Sequence, residues 1–356
     1  MDPTKEIADG LEGVVVAATR LSDVDGERGR LVVAGHDVEA LGERACFEDV
    51  VGLLRDGEAT RARELQERLG QARVAAFGAL GEGPRAADGM DALRAGLAQL
   101  DTEDPDLVIG AVAVIAGAWA RARAGERAVP PDPALSHAAD FARMALGRPL
   151  DDARARALDA YLVTVADHGM NASTFAARVV ASTGSDLVSC VVAAVGALKG
   201  PLHGGAPGPV LDMLDAIGSP ERALPWLEAE LAAGRRIMGM GHRVYRVRDP
   251  RAAVLERATR DLEATGVRSR HLDLAQAVER AAAALLARRH PARALAANVE
   301  FYTAVLLDAV GLPRELFSPT FAVGRAAGWC AHVAEQRAHG RLIRPASRYV
   351  GPSPAD

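Results

Sequence analysis

Lysine, cysteine and aromatic residues are all scarce in this 356-residue chain. The lysines are Lys5 and Lys199 alone, so arginines supply nearly all of the 42 cationic side chains. They form no basic stripe interleaved with aromatic residues, which is the pattern typical of nucleic-acid-binding proteins. The net charge of −5 and the charged fraction of 25% are those of an ordinary soluble protein. The composition therefore argues against a nucleic-acid partner.

The cysteines, Cys46, Cys190 and Cys330, are far apart and odd in number. They lack metal-ligand spacing, so we expect neither a disulfide framework nor a metal site. The N-terminal sequence MDPTKEIADGLEG lacks the basic start and apolar core of a signal peptide. The longest apolar run, residues 107–120, is too short to span a bilayer. The sequence predicts a cytoplasmic protein that has no membrane partner.

Helical periodicity dominates the rest of the sequence. Segments that are almost wholly apolar, or that repeat apolar residues every three or four positions, cover 60–77, 106–124, 152–170, 296–313 and 315–338. The alanine-rich part of the second segment is expected to be central and buried on all sides. Strand-forming residues cluster at 13–19 and 29–35, on either side of a turn that contains Asp25 and Gly26. These patterns predict an all-α fold with a small N-terminal β-hairpin.

Two segments place a histidine among glycines. GPLHGGAPGPV, residues 200–210, holds His203 among three prolines and four glycines, which disfavour a helix and let backbone approach a ligand. A turn between helices with an incidental histidine is the alternative. IMGMGHRVYRVRDPRA, residues 237–252, places His242 directly after closely spaced glycines and before several arginines. The alternative for this segment is a solvated basic face.

A third segment, AANVEFYTAVLLDAVGLP at 296–313, predicts a helix with Glu300 in its first turn. A glutamate at that position can simply complement the helix dipole. The three segments, with DHGMNASTFAARVVAST upstream and GRLIRPASRYVG near the C-terminus, resemble the motifs of the citrate synthase family. The resemblance extends in the family's order from about residue 10 to the C-terminus.

The resemblance implies an almost entirely helical homodimer of the short bacterial and archaeal type, with a multi-helical two-domain fold. Each subunit would have a large domain, residues 1–204 and 306–356, and a small domain, residues 205–305, that closes over the cleft. A chain of this length also favours more than one domain by itself. Closure would keep a reactive thioester away from water.

The reaction implied by the resemblance joins the methyl carbon of acetyl-CoA to the ketone of oxaloacetate and then hydrolyses the thioester to give citrate and CoA. His203 would hydrogen-bond the thioester carbonyl, and His242 would polarise the ketone and protonate the alkoxide. Glu300 would abstract the methyl proton, although the family usually has aspartate in this NVEFY motif. The extra methylene requires an adjustment of roughly an ångström, which can cost about 100-fold in rate. Acetyl-CoA is a co-substrate here, and no permanently bound cofactor or metal is implied.

The resemblance also assigns binding residues. A dicarboxylate requires forked cationic donors, and the matching residues for oxaloacetate are His168, Arg251, Arg325 and Arg344. Arg344 would reach across the dimer interface into the partner's site. The matching residues for CoA are Met238, Gly239, Met240 and Gly241 around the adenine, and Arg246 near the phosphates. Taken alone, His168 could equally be a helix-packing histidine.

Three functions follow from these residues. The first is a citrate synthase, and the second is a 2-methylcitrate synthase that uses propionyl-CoA, because an extra methyl group changes only the shape of the acyl pocket. The third is a catalytically weak paralogue that binds CoA or dicarboxylates as a sensor or structural partner. Glu300 is the one sequence argument for this third function.

Overall fold

The computed structural model of the protein describes residues 7–11, 13–59, 61–80, 86–204, 207–289 and 295–352. These residues form fifteen α-helices and one small sheet, so the predicted all-α fold is confirmed. The helices are α1 Val38–Arg44, α2 Phe47–Asp56, α3 Ala62–Leu80, α4 Gly89–Leu97, α5 Pro105–Arg123, α6 His137–Leu146, α7 Asp152–Val165, α8 Ala172–Ala181, α9 Leu187–Leu198, α10 Pro207–Ile217, α11 Ala223–Ala232, α12 Pro250–Ala264, α13 Leu272–Arg289, α14 Val299–Val310 and α15 Phe317–His339.

The sheet contains three antiparallel strands, β1 Ser22–Asp25, β2 Arg30–Val33 and β3 His36–Asp37, in the order β1-β2-β3. The turn between β1 and β2 follows Asp25, as predicted, but the expectation of a first strand at 13–19 was wrong. The short turn pairs Asp25 with Arg30, and this register sends side chains of β2 into the core. Residues 13–19 lie largely at the surface instead, with Val15 89% exposed.

Helix α5 forms the centre of the core, as its alanine-rich sequence predicts. It packs against α3, α4, α6 and α15. A Cβ atom at Gly110 would lie 2.9 Å from the backbone nitrogen of Arg73, so the glycine permits a close crossing of α5 and α3. The helix is long and apolar enough to cross a membrane, yet 78% of its apolar stretch is buried inside the protein. Such burial is typical of a central core helix.

Two helix boundaries differ from the sequence prediction. Helix α7 ends at Val165, not at residue 170, because Gly169 adopts a positive φ of 57° and Asn171 caps the next helix. His168 therefore lies in the connection between α7 and α8 and not within a helix. Helix α10 begins at Pro207, inside the segment 200–210 whose prolines and glycines were expected to disfavour a helix. Prolines fit the first turn of a helix, where their missing N–H groups need no partner; residues 205–206 of this loop lie outside the described part of the chain.

Four helices begin in the region of the molecule that contains His168 and His203. Helices α8 and α10 begin four residues after His168 and His203, and Arg251 and Glu300 lie in the first turns of α12 and α14. The N-terminus of a helix carries a partial positive charge and favours anions. The fold thus provides an electropositive environment for these side chains.

The small sheet supports two of the loops in this region. Ser22 Oγ donates to Asp167 Oδ2 at 2.5 Å and accepts from the backbone nitrogen of Gly169 at 2.8 Å, which holds the connection between α7 and α8. The backbone nitrogen of Arg246 donates to the carbonyl of Gly26 in the turn at 2.9 Å. The hairpin therefore fixes both the loop of His168 and the segment that follows His242.

Candidate active site

The ring of His242 is oriented by the backbone that follows it. Its Nδ1 accepts from the backbone nitrogens of Val244 at 3.0 Å and Tyr245 at 3.1 Å. Because Nδ1 accepts, the neutral ring carries its proton on Nε2. Burial, and then the charge of Arg251, lower the pKa of His242 to about 4. His242 is consequently a neutral hydrogen-bond donor at physiological pH.

Arg251 is held in place by a buried carboxylate. Asp249 accepts from its Nε at 3.0 Å and its Nη2 at 2.7 Å, and it caps α12 by accepting from the backbone nitrogen of Arg251 at 3.0 Å. The same carboxylate accepts from the backbone nitrogen of Val299 at 3.2 Å, which joins α12 to α14. We did not predict Asp249 from the sequence, although an aspartate directly before a proline is a helix N-cap signal.

Arg325, on α15, is a buried cation with an unused donor. It is 1% exposed; its Nε donates to the carbonyl of Val165 at 2.5 Å, and its guanidinium lies 4.7 Å from the ring centroid of Phe321. Among the residues that the structure describes, its buried Nη2 has no hydrogen-bond partner. Burial lowers the pKa to about 10, so the group stays charged at neutral pH. A buried charge is costly and is only partly compensated here by the nearby Asp167 carboxylate, so a bound carboxylate would offset more of that cost.

His168 lies close to both the imidazole of His242 and the small sheet. It is 8% exposed, its Nε2 lies 3.0 Å from the hydroxyl of Tyr245, and its ring meets that of His242 edge-on at a centroid distance of 5.6 Å. Burial, and then the charges of Arg251 and neighbouring groups, hold the pKa of His168 well below its ordinary value. Tyr245, a buried contact of both histidines, was not predicted from the sequence.

His203 is oriented by the first turn of α8. The backbone nitrogen of Ser173 donates to His203 Nε2 at 3.3 Å, and Ser173 Oγ lies 2.8 Å from the same nitrogen. Since Nε2 accepts, the neutral ring carries its proton on Nδ1. Burial, and then the charge of Arg325, lower the pKa of His203 to about 4. The sequence did not predict this link with Ser173, which in turn accepts from Trp329 Nε1 at 3.1 Å.

Glu300 lies in the first turn of α14, as the sequence predicts. Asn298 caps the helix by accepting from the backbone nitrogen of Glu300 at 3.0 Å. The side chain of Glu300 is half-buried. Burial raises the pKa of Tyr161, and the charge of Glu300 adds to that rise. Burial lowers the pKa of Arg251, but Asp249 and, to a smaller extent, Glu300 raise it overall. Glu300 therefore lies within electrostatic range of the other site residues. A residue that only complemented the helix dipole could face solvent, without contact with this cluster of charged groups.

The glycines at 239 and 241 have a structural role. They adopt φ angles of 73° and 88°, and a Cβ atom at Gly239 would lie 2.8 Å from the ring of Phe301. The segment pairs with the chain that enters α14: Gly241 N donates to the carbonyl of Ala296 at 2.7 Å, and Asn298 N donates to that of Gly239 at 2.9 Å. The amide of Gly241 is thus used inside the protein. Of the predicted CoA-binding residues, Met238 and Arg246 are exposed and Met240 is half-buried.

Arg344 lies apart from the other predicted residues. It is exposed in the tail that follows α15. The adjacent Ile343 donates from its backbone nitrogen to Ser182 Oγ at 3.0 Å, at the C-terminal end of α8. The site lies at the N-terminal end of that ten-residue helix, about 15 Å away along its axis. The structure therefore brings together His168, His203, His242, Arg251, Glu300 and Arg325 in one subunit and leaves Arg344 outside.

Comparisons with known proteins identify the family of the chain. Residues 10–346 match the family profile described as citrate synthase, C-terminal domain. The citrate synthase of Haloferax volcanii is 37% identical, over 99% of this chain and 97% of the relative, and the 2-methylcitrate synthase of Mycobacterium tuberculosis is 36% identical, over 99% and 92%. The solved ternary complex of citrate synthase from Thermoplasma acidophilum with carboxymethyl coenzyme A and oxaloacetate superposes with a TM-score of 0.88 at 29% identity, covering 99% of this chain and 98% of that one. Because these matches extend over nearly its whole length, the protein belongs to the citrate synthase family.

Proposed function

We propose that this protein is a citrate synthase that condenses acetyl-CoA with oxaloacetate and water to give citrate and CoA. The observation that carries the proposal is one cluster of three neutral imidazoles and two buried guanidiniums beside a glutamate. The imidazoles are His168, His203 and His242, and the guanidiniums are those of Arg251 and Arg325. The reaction needs neutral donors, a carboxylate base and cations for a dicarboxylate.

Oxaloacetate would be held by the two arginines and His168. Arg325 Nη2 is buried and available to a carboxylate, and Arg251 is held by Asp249 with its Nη2 3.5 Å from His242 Nε2. The two cations match the two carboxylates of the substrate. A neutral His168 adds a hydrogen bond without adding a third positive charge. This arrangement would place the ketone next to His242.

Enolisation of acetyl-CoA would use Glu300 and His203. The Glu300 carboxylate would take a proton from the acetyl methyl group, and the Nδ1–H of His203 would donate to the thioester oxygen as negative charge develops there. Because Ser173 fixes Nε2 of His203 as an acceptor, the ring presents Nδ1–H without rearrangement. The low pKa of this imidazole keeps it a neutral donor, so it stabilises the enol without ionising.

Carbon–carbon bond formation would use His242. The nucleophilic methylene carbon attacks the ketone carbon of oxaloacetate, and the Nε2–H of His242 donates to the ketone oxygen and then transfers its proton to the alkoxide. The proton that Glu300 took from the methyl group returns to His242 Nε2 through water, so both groups regain their starting forms. The product thioester is citryl-CoA, whose hydrolysis consumes one water and releases CoA. The backbone amides of Val244 and Tyr245 hold the His242 ring in the required tautomer until it transfers this proton.

The binding of CoA and the division of the chain into two domains also belong to the proposal. The adenine would lie against Met238, Gly239, Met240 and Gly241, with Arg246 near the phosphates. The segment is attached to the chain that leads into α14, which supports a coupling between CoA binding and the position of Glu300.

The small domain, residues 205–305, would close over the large domain, residues 1–204 and 306–356. Helix α14 crosses the boundary after residue 305 and would connect the two.

The active form would be a homodimer in the cytoplasm, with Arg344 completing the partner's oxaloacetate site. The tail beyond α15 supports this proposal, because Arg344 is exposed and its apolar neighbours Leu342, Tyr349 and Val350 are 59%, 75% and 87% exposed. Exposed apolar side chains of this kind mark surfaces that bind other chains. The free thiols of all three cysteines support a reducing compartment.

Steady-state rates with oxaloacetate and either acetyl-CoA or propionyl-CoA test the proposal. A citrate synthase has the higher kcat/KM with acetyl-CoA. The relative named 2-methylcitrate synthase makes propionyl-CoA the main competing substrate, and a preference for it would replace the proposed function by that one. Binding of oxaloacetate without turnover of either thioester would instead support a catalytically weak paralogue.

A further inference from the structure

A histidine outside the active site lies between two carboxylates. His271 directly precedes α13 and is 3% exposed; its Nδ1 lies 3.0 Å from Oδ2 of Asp308, and its Nε2 lies 3.0 Å from Oδ1 of Asp215. A neutral imidazole has one N–H and cannot donate to both carboxylates. The geometry therefore requires the imidazolium form. The hydrogen bond with Asp308 raises the pKa of His271 most, burial opposes it, and the bond with Asp215 adds to the rise.

The two carboxylates belong to helices that begin at the active site. Asp215 lies near the C-terminal end of α10, and Asp308 lies near the C-terminal end of α14. The two helices pack against each other. Charged His271 thus connects the far end of α10, which begins four residues after His203, to the far end of α14, whose first turn carries Glu300.

Other charged groups around this contact are arginines. Arg314, just beyond α14, pairs with both Asp215 and Asp212, the latter at 2.8 Å, and Nη2 of Arg270 lies 3.5 Å from Oδ1 of Asp215. The hydrogen bond with Arg314 lowers the pKa of Asp215, so this carboxylate stays ionised when His271 loses its proton. The proton on His271 is then the element of the contact that changes with pH.

We propose that charged His271 is a positioning residue that ties α10 to α14 and so fixes His203 relative to Glu300 during enolisation. The inference rests on the proposed function, because it assumes that these two side chains act on the same acetyl group. When His271 is neutral it donates to one carboxylate only. The other carboxylate is released, which loosens the contact between the ends of the two helices even though Arg314 still pairs with Asp215. A displacement of about an ångström at the reacting groups is enough to lower a rate about 100-fold.

The test compares Asp308→Asn, which keeps the shape of the contact and removes one negative charge, with Asp212→Asn as the matched control. Asp212 is an exposed carboxylate on α10 that pairs with Arg314 and not with His271. In the wild type, the His271 ring signal, assigned by NMR through its loss in His271→Gln, should titrate at the same midpoint as an alkaline fall in kcat. Asp308→Asn should move both midpoints down by about one pH unit, and Asp212→Asn should move neither. The oxaloacetate Kd, measured by calorimetry, should stay constant in all of them.

His271→Gln should show at pH 7 the low kcat that the wild type reaches above the midpoint. The proposal is overturned if His271 titrates at or below 6.5, or if Asp308→Asn moves its titration without moving the alkaline limb of kcat. A wild type that condenses neither acyl-CoA removes the proposed function and the positioning role together. An active wild type without an alkaline limb removes the positioning role alone.

Discussion

His242 Nε2 and Arg251 Nη2 lie 3.5 Å apart, and both are hydrogen-bond donors. Each is fixed from behind: backbone amides occupy Nδ1 of His242, and Asp249 binds the guanidinium of Arg251. A guanidinium has no acceptor, and the proton on His242 Nε2 leaves that nitrogen unable to accept, so the two groups do not satisfy each other. Two fixed donors that point into a common space are complementary to an oxygen atom carrying negative charge, and they need no reorganisation when that charge develops.

Replacing Arg325 should separate stability from function. In Arg325→Met a buried guanidinium with an unused donor is exchanged for an apolar side chain of similar length. The desolvation cost of the cation disappears, but the Val165 carbonyl loses its donor and Asp167 loses a nearby cation, so we expect the free energy of unfolding to change by less than about 2 kcal/mol. Oxaloacetate affinity should be lost, because the carboxylate has no partner there. Urea unfolding and calorimetry measure the two effects. A variant that is less stable and still binds oxaloacetate would show that Arg325 has a structural role only.

Changing Glu300 tests the proposed base. Glu300→Gln should keep the fold and the oxaloacetate affinity and should lower kcat by about 100- to 10,000-fold, because an amide cannot accept the methyl proton. We expect Glu300→Asp to lower kcat as well, since α14 and its cap are positioned for the longer side chain. A rise in kcat for Glu300→Asp would show that the extra methylene strains the site. Near wild-type exchange of the acetyl methyl protons in Glu300→Gln would remove Glu300 from the mechanism.

The exposed tail gives a prediction about subunit exchange. Arg344→Ala should abolish oxaloacetate binding without unfolding the protein, because the arginine would act in the partner's site. Mixing Arg344→Ala subunits with His242→Ala subunits should restore one intact site in each heterodimer. Activity of the mixture above that of either parent is the measurement, and a mixture as inactive as both parents would place Arg344 outside the partner's site.

The proposed domain closure predicts an order of binding. His242 and Arg251 would move with the small domain and His168 and Arg325 with the large one, so oxaloacetate should favour the closed form that completes the acyl-CoA site. Its presence should tighten acetyl-CoA binding by about 5- to 150-fold. Calorimetric titration with an unreactive acetyl-CoA analogue, with and without oxaloacetate, measures this coupling, and equal affinities would contradict it.

The neutral imidazoles predict a loss of stability in acid. The pKa of His203 and of His242 is about 4 in the folded protein, against an ordinary value of 6.5. Between these values the unfolded chain binds protons that the folded site does not, so the free energy of unfolding falls as the pH falls from about 6.5 to 4. Urea unfolding at pH 7 and pH 5 should show a smaller fall in His242→Asn than in the wild type. His339→Asn, at an exposed histidine, is the control and should behave as the wild type does.

The sequence allows the site loops to be predicted because glycine and proline interrupt the helices at His203 and His242. It does not allow their supports to be predicted, because those are contacts between distant residues. Ser173 binds His203 across 30 positions, and Ser22 binds Asp167 across 145. Local propensity also favoured a strand at 13–19, whereas pairing through a tight turn selected β1 instead. Tertiary contacts decide such cases, and a single sequence does not contain them explicitly.

Because four helices begin at the site, a small tilt of any one of them about its far end displaces the site residues in its first turn. Helix α14 has 12 residues and is about 18 Å long, so a tilt of about 3° about its far end moves its first turn by about an ångström. Substitutions at the distal ends of α8, α10, α12 and α14, far from any substrate, can thus adjust the geometry of the reacting groups in small steps. Libraries intended to change acyl selectivity have reason to include those distal positions as well as the pocket itself.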